Sequence, residues 1–259
     1  MLESGLVRLS QSHLNLLSIC PPKFQQVYLD CLGSIPDPKQ QESMQWGNHF
    51  HLLMQQRELG LPIESLLAND SELNSSVKDL IEAAIEILQP KDNLWREAEH
   101  CRTLGYGNFV LTVIYDLLVA QPNKAIILDW KTYRKPQKRN SLANNWQTRL
   151  YLYVLAETSE YIPEQIQMTY WFVKSGKPTS VTFDYSQTLH QQTEQDLDSI
   201  LTQLETWLRN YQQHQIDLPH KPDCQLKCPY YEFLGEENTL QIQHQELVKA
   251  IAEIDEISI

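Results

Sequence analysis

The stretch that decides the fold reads FVLTVIYDLLVAQPNKAIILDWK and covers residues 109–131. Two runs rich in β-branched and aromatic residues flank the turn sequence QPNK, which predicts two antiparallel strands. Pro122 fits the second position of a type I turn and cannot take the positive φ of a type I′ turn. We therefore expect a four-residue loop rather than a two-residue loop, and both loops share one centre, between Pro122 and Asn123.

This centre fixes the register of the two strands, because residues facing each other have numbers that sum to 245, as 116 and 129 do. Asp116 is therefore expected directly opposite Asp129, with the two Cβ atoms about 5 Å apart. Strand alternation puts Lys131 on the face of Asp129 and turns Trp130 to the other face with Leu128. The sequence thus predicts two carboxylates and an ammonium group at the end of a buried strand.

Two interpretations of this cluster are open. D-x-K is short and common, so Lys131 can simply neutralise two acids in a partly exposed strand pair. Alternatively, the acids bridge a divalent cation such as Mg²⁺, which binds through one or two carboxylates and several waters, and the backbone carbonyl of Trp130 completes the site. Lys131 would then orient or deprotonate the attacking water and offset charge on a phosphate.

Other segments bear on this choice. Gln147 and Tyr151 lie one turn apart on a predicted helix that Ser141 can cap, and a glutamine on the inner side of a helix needs partners. Gly47 and His51 lie four residues apart on an earlier predicted helix, where His51 can point inward.

The segment KTYRKPQKR, residues 131–139, reverses the sign of an otherwise acidic chain. A solvated loop is the simpler interpretation. A phosphate-binding rim beside the metal is the functional one, with Tyr133 available to stack on a base. The cationic residues of this rim are Lys131, Arg134, Lys135, Lys138 and Arg139.

Length and composition bound the class of protein. The chain has 259 residues, is 42% hydrophobic and carries a formal net charge of −12. It can bury a real core, and its charge argues against coating nucleic acid through a general positive field, although a local basic groove is compatible. We find neither a signal peptide nor a stretch of about 18 apolar residues, so we expect a cytoplasmic protein without a membrane partner.

The predicted elements follow one another without an internal repeat or a clear linker. Residues 1–92 are mainly helical, residues 93–185 hold the strands of a sheet core, and residues 186–259 form a helical part with a cysteine pair. We therefore expect a single domain over residues 1–259.

With these residues assembled, the sequence resembles the RecB-like nucleases of the PD-(D/E)XK superfamily, over about residues 8–230. The similar segments are LSQSHLNLLSICPPKFQQVYLD, G-x-x-x-H at Gly47 and His51, the aspartate of VIYDLLVA, the D-W-K-T motif, and Q-x-x-x-Y at Gln147 and Tyr151. Each motif is weak by itself, but their order and spacing are jointly specific. Two departures, Val113 in place of a common glycine and Tyr115 in place of the proline, touch no ligand.

The resemblance implies an α/β fold with a restriction-endonuclease-like core, a mixed sheet flanked by helices in the order α-β-β-β-α-β, after a helical N-terminal part. It implies that His51, Asp116 and Asp129 bind the metal and that Lys131 is the catalytic lysine. Gln147 and Tyr151 would support the site and the nucleic-acid backbone. The role of His51 comes from the resemblance alone.

The activity implied by the resemblance is that of a DNA nuclease dependent on Mg²⁺ or Mn²⁺, in DNA repair, recombination or defence. Whether a helicase or repair protein is required as a partner is left open. One alternative is a nucleic-acid-binding or assembly protein that keeps the fold without turnover. Another is an unrelated α/β protein with a chance D-x-K. Strand preference, polarity, exonuclease or endonuclease action and oligomeric state are left open.

Five scattered cysteines in a chain without an export signal predict free thiols or a metal rather than disulfides. Several relatives hold an iron-sulfur cluster with one cysteine near the start and three near the end. Here Cys20, Cys224 and Cys228 give three of four ligands, and Leu234 stands where another is needed. We expect no cluster and favour a reduced remnant that closes the terminal segments together. A zinc site with Cys101 or His220 stays open.

Overall fold

The computed structural model describes residues 6–33, 36–63, 67, 70–89, 94–133, 138–174, 177–222 and 224. The chain divides into two compact units, residues 1–8 with 41–193 and residues 9–40 with 194–259. The expectation of a single domain over residues 1–259 stays a prediction.

Helices and strands follow the predicted order along the chain. The strands are β1 Val7–Leu9, β2 Trp95–Tyr106, β3 Phe109–Gln121, β4 Lys124–Lys131, β5 Ile166–Phe172 and β6 Thr179–Asp184. The α-helices are α1 Gln11–Ile19, α2 Pro21–Phe24, α3 Pro38–Glu58, α4 Ser71–Ala83, α5 Ile85–Leu88, α6 Arg139–Asn144, α7 Trp146–Glu157 and α8 Gln187–His214. A π-helical turn at Gln25–Leu29 and a 3₁₀ turn at Pro163–Gln165 complete the described elements. No helix among the described residues is long and apolar enough to cross a membrane.

The six strands form one mixed sheet in the order β1-β3-β4-β5-β6, with β2 also paired to β3. β4 and β5 run parallel, and the pairs β2–β3, β3–β4 and β5–β6 are antiparallel. The parallel pair needs a crossover, which α7 supplies between β4 and β5. The order α3-β2-β3-β4-α7-β5 confirms the expected restriction-endonuclease-like core.

The register of the β3–β4 hairpin is the predicted one, since Leu117 faces Leu128 and the pairing continues to Gln121 with Lys124. The loop therefore has two residues, and the expectation of a four-residue loop is wrong. Neither loop residue has a positive φ. A turn of this kind splays the strands, which is tolerated because the last pair lies at the end of the ladder.

At Glu99, the β2–β3 hairpin changes which of its two faces is packed against helices. Ala98 and Leu117 pack with α3 and α4, whereas the Tyr115 hydroxyl donates to a backbone carbonyl of α7. Glu99 has a φ of 53° and, like Asp116 across from it, belongs to no ladder pair. One left-handed residue reverses the alternation of the strand, so the two halves of the hairpin serve different helix layers.

The predicted helix over residues 141–158 is divided into α6 and α7. Asn145 is extended, and its side chain accepts a hydrogen bond from the Gln147 amide at 2.8 Å. Ser141 lies inside α6, which Lys138 precedes as N-cap, so the expectation that Ser141 caps the helix is wrong. Asparagine is among the strongest N-cap residues, and its position directly before Trp146 starts a new helix there.

In the second unit, the segment after α8 is bonded to the N-terminal helices. The Gln25 side chain accepts from the Leu218 amide and donates to Asp217, both at 2.7 Å. Lys221 Nζ donates to the Ser18 carbonyl.

The described cysteines form no disulfide. Cys20 and Cys224 are buried in the second unit, where Cys224 Sγ lies 3.2 Å from His220 Nδ1. Cys101 is exposed on β2 in the first unit, and Cys228 lies outside the described residues. A packed cysteine remnant that binds no metal therefore stays a prediction.

Candidate active site

Three side chains from three elements converge at the point where the hairpin changes face. His51 comes from α3, Glu99 from β2 and Asp116 from β3, and one ligand atom of each lies within 4.8 Å of the other two. His51 Nδ1 is 3.2 Å from Asp116 Oδ1. We call these three residues the metal pocket, because two carboxylates and an imidazole are donors that divalent cations accept.

Asp116 also ends the β3–β4 ladder. The last ladder pair is Leu117 with Leu128, and the next amide of β4, that of Trp130, donates to Asp116 Oδ2 at 2.6 Å. The carboxylate thus takes the place of a backbone carbonyl. Asp116 thus reaches the end of β4 through a side-chain bond to the Trp130 amide, and the ladder stops before the expected pairing of Asp116 with Asp129.

Gly47 explains how α3 comes close enough to place His51. A Cβ atom on Gly47 would lie 2.9 Å from Thr132 Oγ1, closer than such atoms pack. With any larger residue at position 47, either α3 or the Thr132 side chain would have to shift. His51 follows one helical turn later and lies over Asp116.

A second group of side chains surrounds Lys131 on the α7 side of the sheet. Lys131 Nζ lies 2.8 Å from Asp129 Oδ1 and donates to Gln147 Oε1 at 2.7 Å. Gln147 Nε2 donates to Asp129 Oδ2 at 2.6 Å. We call Asp129, Lys131 and Gln147 the lysine triad. Gln147 forms a hydrogen bond with each member of the ion pair. These are the partners that an inward-facing glutamine needs.

Asp129 Oδ1 indicates that the site fits a cation. This oxygen is buried and, among the described residues, accepts no hydrogen bond, although the Lys131 ammonium lies 2.8 Å away. A buried carboxylate oxygen with free lone pairs is costly, and a cation would satisfy it.

Charges in the two groups influence one another. Burial lowers the pKa of His51, but Asp116, Asp129 and Glu99 raise it more, to about 9. Burial raises the pKa of Asp129, and Asp116 raises it further against the opposing effect of Lys131. Burial and the same acids also raise the pKa of Glu99. The protein therefore concentrates more negative charge here than its own cations neutralise.

Two buried tyrosines border the lysine triad. Burial, with Asp129 and Asp116 nearby, raises the pKa of Tyr151 well above its usual value, and its hydroxyl bonds to the Gln147 side chain. Tyr170 pairs with Asp129 across β4 and β5, and its ring centroid is 5.2 Å from Lys131 Nζ. Burial, with Asp129 nearby, also raises the pKa of Tyr170 well above its usual value, so both hydroxyls stay neutral and can donate hydrogen bonds.

The structure brings together the six predicted residues His51, Asp116, Asp129, Lys131, Gln147 and Tyr151. Trp130 turns its side chain to the opposite face, into the core with α3 and α4, as expected. Its carbonyl as a metal ligand stays a prediction.

The predicted phosphate-binding rim is described only in part. Tyr133 is half-buried, with its ring centroid 5.7 Å from that of Phe172. Lys138 and Arg139 are exposed, and the Arg139 guanidinium lies 4.6 Å from the Phe183 ring. Arg134 and Lys135 lie outside the described residues.

Glu99 is the residue that sequence reasoning missed, although a signal was present. Tyr106 pairs with Phe109, so facing residues of β2 and β3 have numbers that sum to 215, and 99 faces 116. Counting the register from the turn around Gly107, as for the β3–β4 turn, identifies Glu99 as the residue opposite Asp116. Tyr170 had no such signal, because the register of a parallel pair is not set by a short turn.

A mixed sheet flanked by helices, with carboxylates and a lysine at the end of its central hairpin, defines a restriction-endonuclease-like α/β protein. The PD-(D/E)XK nuclease superfamily matches residues 8–233 of the sequence. The chain therefore belongs to this superfamily, whose nucleases hydrolyse phosphodiester bonds. This membership excludes an unrelated protein with a chance D-x-K.

One solved structure agrees on the fold. A candidate exonuclease from Eubacterium rectale is 9% identical, with a TM-score of 0.53 over 93% of this chain and 92% of that chain. SSO0001 is 12% identical over 78% of each chain, with a TM-score of 0.34, which is too low to support an argument. No curated protein matches the sequence.

Proposed function

We propose that this chain is a metal-dependent DNA nuclease that hydrolyses phosphodiester bonds by attack of an activated water. One observation carries the proposal: Lys131 is held between Asp129 and Gln147 beside the metal pocket of His51, Glu99 and Asp116. An ammonium group and a cation site at one strand end are the two positive centres that a phosphoryl group requires.

The donor set favours Mg²⁺ or Mn²⁺. Carboxylate oxygens suit both ions, and the imidazole of His51 makes Mn²⁺ at least as effective. The metal pocket would hold the ion together with Asp129 Oδ1 and the Trp130 carbonyl. A bound divalent ion supplies Lewis-acid activation of water and compensates the negative charge of the phosphate.

The residues of the chain supply the remaining chemistry. Lys131 has its ammonium fixed by the lysine triad, so it can donate to a phosphate oxygen or exchange a proton with the attacking water without reorganisation. Gln147 fixes the position of Lys131 relative to Asp129. Tyr151 keeps its proton, and its hydroxyl bonds to the Gln147 side chain.

The decisive experiment incubates the purified protein with single- and double-stranded DNA in Mg²⁺, in Mn²⁺ and in EDTA. We expect cleavage only with a divalent ion, and a loss of about 100-fold or more in Lys131→Ala, the scale of losing a preorganised charge. Lys124→Ala is the matched control, because Lys124 begins the same strand and pairs with Gln121 at the far end of the ladder. It should cleave as the wild type does.

Each outcome bears on a specific alternative. Cleavage that ignores Lys131→Ala would assign the activity to another site or a contaminant and refute the proposal. Metal-dependent DNA binding with no cleavage in either ion would instead support the binding or assembly protein. The RecB-like resemblance supports a role in DNA repair, recombination or defence, in which a helicase or repair protein is a candidate partner.

A further inference from the structure

A second lysine lies beyond the ends of β4 and β5, on the side of the sheet that α3 covers. Lys174 follows Val173, whose amide donates to the Lys131 carbonyl at 3.0 Å. Lys174 Nζ lies 3.8 Å from the centre of the Trp46 ring on α3 and 3.8 Å from Glu72 Oε1 in the first turn of α4. We call Trp46, Glu72 and Lys174 the Lys174 site.

The ammonium group of Lys174 is largely desolvated and is held against an aromatic ring. The Lys174 side chain is only 12% exposed. The Trp46 ring is stacked on Phe50, which is fully buried, with the ring centroids 5.6 Å apart. A cation over an indole face is attracted by the ring electrons. Trp46 therefore fixes the position of the ammonium group without neutralising its charge.

Glu72 is a weak counter-ion for this ammonium group. Its side chain is 58% exposed, and its Oε1 lies 3.8 Å away, beyond hydrogen-bond distance. Water and salt screen such a contact, so it contributes little. Trp46 Nε1 is also buried and donates to none of the described residues. The Trp46 donor and the Lys174 charge both suit an anion that can replace this carboxylate.

The Lys174 site lies close to the metal pocket along the same helix. Trp46 precedes His51 by five residues, a rise of about 7.5 Å. Gly47, next to Trp46, lies against Thr132, just after the end of β4. Each DNA strand carries a phosphate about every 3.4 Å along its axis. A strand held at the metal pocket therefore places a further phosphate within this distance.

We propose that Lys174 binds a phosphate of the DNA strand beside the one that is cleaved, and that Glu72 is an exchangeable counter-ion that DNA displaces. The inference rests on the proposed function and adds a binding residue and an acid that competes with the substrate. Lysine binds phosphate as a point charge, and such a charge-assisted contact is stronger than an exposed ion pair. Displacing Glu72 costs little, because its side chain is already mostly exposed.

Lys174→Met tests the charge while keeping the packing, because methionine can replace the apolar stem of the lysine. With Mn²⁺ and DNA, we expect KM to rise at least about tenfold and kcat to stay within about twofold, the pattern of lost uniform binding. Lys174→Arg keeps the charge and should stay within about threefold of the wild-type KM. Lys78→Met is the matched control, at an exposed lysine of α4, and should match the wild type.

Glu72→Gln tests the counter-ion and should act in the opposite direction. Removing the carboxylate leaves the ammonium group ready for phosphate, so we expect KM to fall about two- to fivefold. Glu82→Gln removes an exposed acid from the same helix and should leave KM unchanged. In the Lys174→Met background, Glu72→Gln should have no effect, because no ammonium group is left to release.

A wild-type KM in Lys174→Met would overturn the proposal and reduce the contact with Trp46 to packing. If Glu72→Gln lowers KM equally with and without the Lys174 charge, its effect is general repulsion of DNA, and counter-ion exchange is refuted.

Anisotropy titrations of DNA in the Lys131→Ala background separate this proposal from the proposed function. If cleavage depends on Lys131 but Lys174→Met changes neither KM nor DNA affinity, only the Lys174 site is wrong. If Lys174→Met weakens DNA binding about tenfold while the wild type cleaves with no ion, the nuclease activity is wrong and the phosphate contact stands. If no DNA binds or is cleaved with any ion, both proposals fall together.

Discussion

Glu99 combines an unfavourable backbone conformation with a carboxylate in an acidic pocket. A non-glycine residue with a φ of 53° costs about 1 kcal/mol or more, and glycine adopts this conformation freely. Strain of this kind persists where function requires a side chain at that point. We therefore expect Glu99→Gly to be at least as stable to urea as the wild type, while its affinity for Mn²⁺ by calorimetry falls about tenfold or more.

Glu97→Gly is the matched control, two residues earlier on β2. Glu97 is exposed and is not among the positive-φ residues of the described chain. Glycine in an ordinary strand position destabilises, so Glu97→Gly should unfold about 1 to 2 kcal/mol more easily than Glu99→Gly, with unchanged Mn²⁺ affinity. A Glu99→Gly protein that keeps its Mn²⁺ affinity would remove Glu99 from the metal pocket.

His51 should couple metal binding to pH. Its pKa of about 9 without metal means that a proton occupies the imidazole at neutral pH and competes with the ion. We expect Mn²⁺ affinity by calorimetry to rise from pH 6.5 to pH 9, by up to about tenfold per pH unit. In His51→Gln this dependence should be weaker. An equally steep rise in that variant would assign the competing proton to another group.

Stability without metal should change in the opposite direction. The folded pKa of His51 is raised above its ordinary 6.5, so the stabilising effect is fully present below pH 6.5 and is lost as pH rises through about 9. The difference in free energy of unfolding between the wild type and His51→Gln in EDTA should therefore shrink over this interval. A constant difference would argue against the His51–Asp116 ion pair.

At the scale of elements, the crossing of α3 over the end of β4 sets the geometry of the metal pocket. Glycine inside a helix normally costs about 1 kcal/mol relative to alanine, so its presence at residue 47 indicates a steric need. We expect Gly47→Ala to displace α3 from Thr132 and to weaken Mn²⁺ binding about tenfold. The double variant Gly47→Ala with Thr132→Ala removes the obstructing hydroxyl and should recover most of this loss.

Gly33→Ala serves as the control for adding a methyl group, because nothing lies within 4 Å of the Cβ position there. It should leave Mn²⁺ affinity unchanged. Failure of Thr132→Ala to rescue Gly47→Ala would show that the glycine is needed for another reason.

Local pattern determined most of the elements and one hairpin register. The turn at Pro122 and Asn123 fixed the register of β3 and β4, because a short hairpin leaves only one centre. The division of the helix at Asn145 was not apparent, since Ser141 and Asn145 are both good cap residues. Which of the two caps the helix depends on packing against the sheet, which a local pattern does not contain.

At the scale of the whole molecule, net charge limits how DNA can bind. With a net charge of −12, binding must rely on the few cations near the site. The rim predicted from residues 131–139 has five, which gives a slope of log affinity against log salt of about −3.5 at most for a single strand. We expect anisotropy titrations from about 50 to 200 mM salt to show a loss of no more than about 100-fold.

Two variants calibrate this slope. Lys138→Ala should make it shallower by about 0.7, and Lys124→Ala should leave it unchanged. A loss far beyond 100-fold in the wild type would reveal a larger cationic surface than the sequence predicts.

The sequence by itself determined the order of elements, the β3–β4 register and the resemblance to the superfamily, and it predicted six candidate site residues, because these follow from local periodicity, one short turn and motif spacing. Only the tertiary structure decided that Glu99 completes the metal pocket, that Gln147 joins Lys131 to Asp129, and that Tyr170 lies beside them. These contacts join residues far apart in the chain through a strand that changes face, a crossover helix and a parallel pair. The geometry of the strand that changes face, of the crossover helix and of the parallel pair is not fixed by residues adjacent in the sequence. It depends on packing in three dimensions.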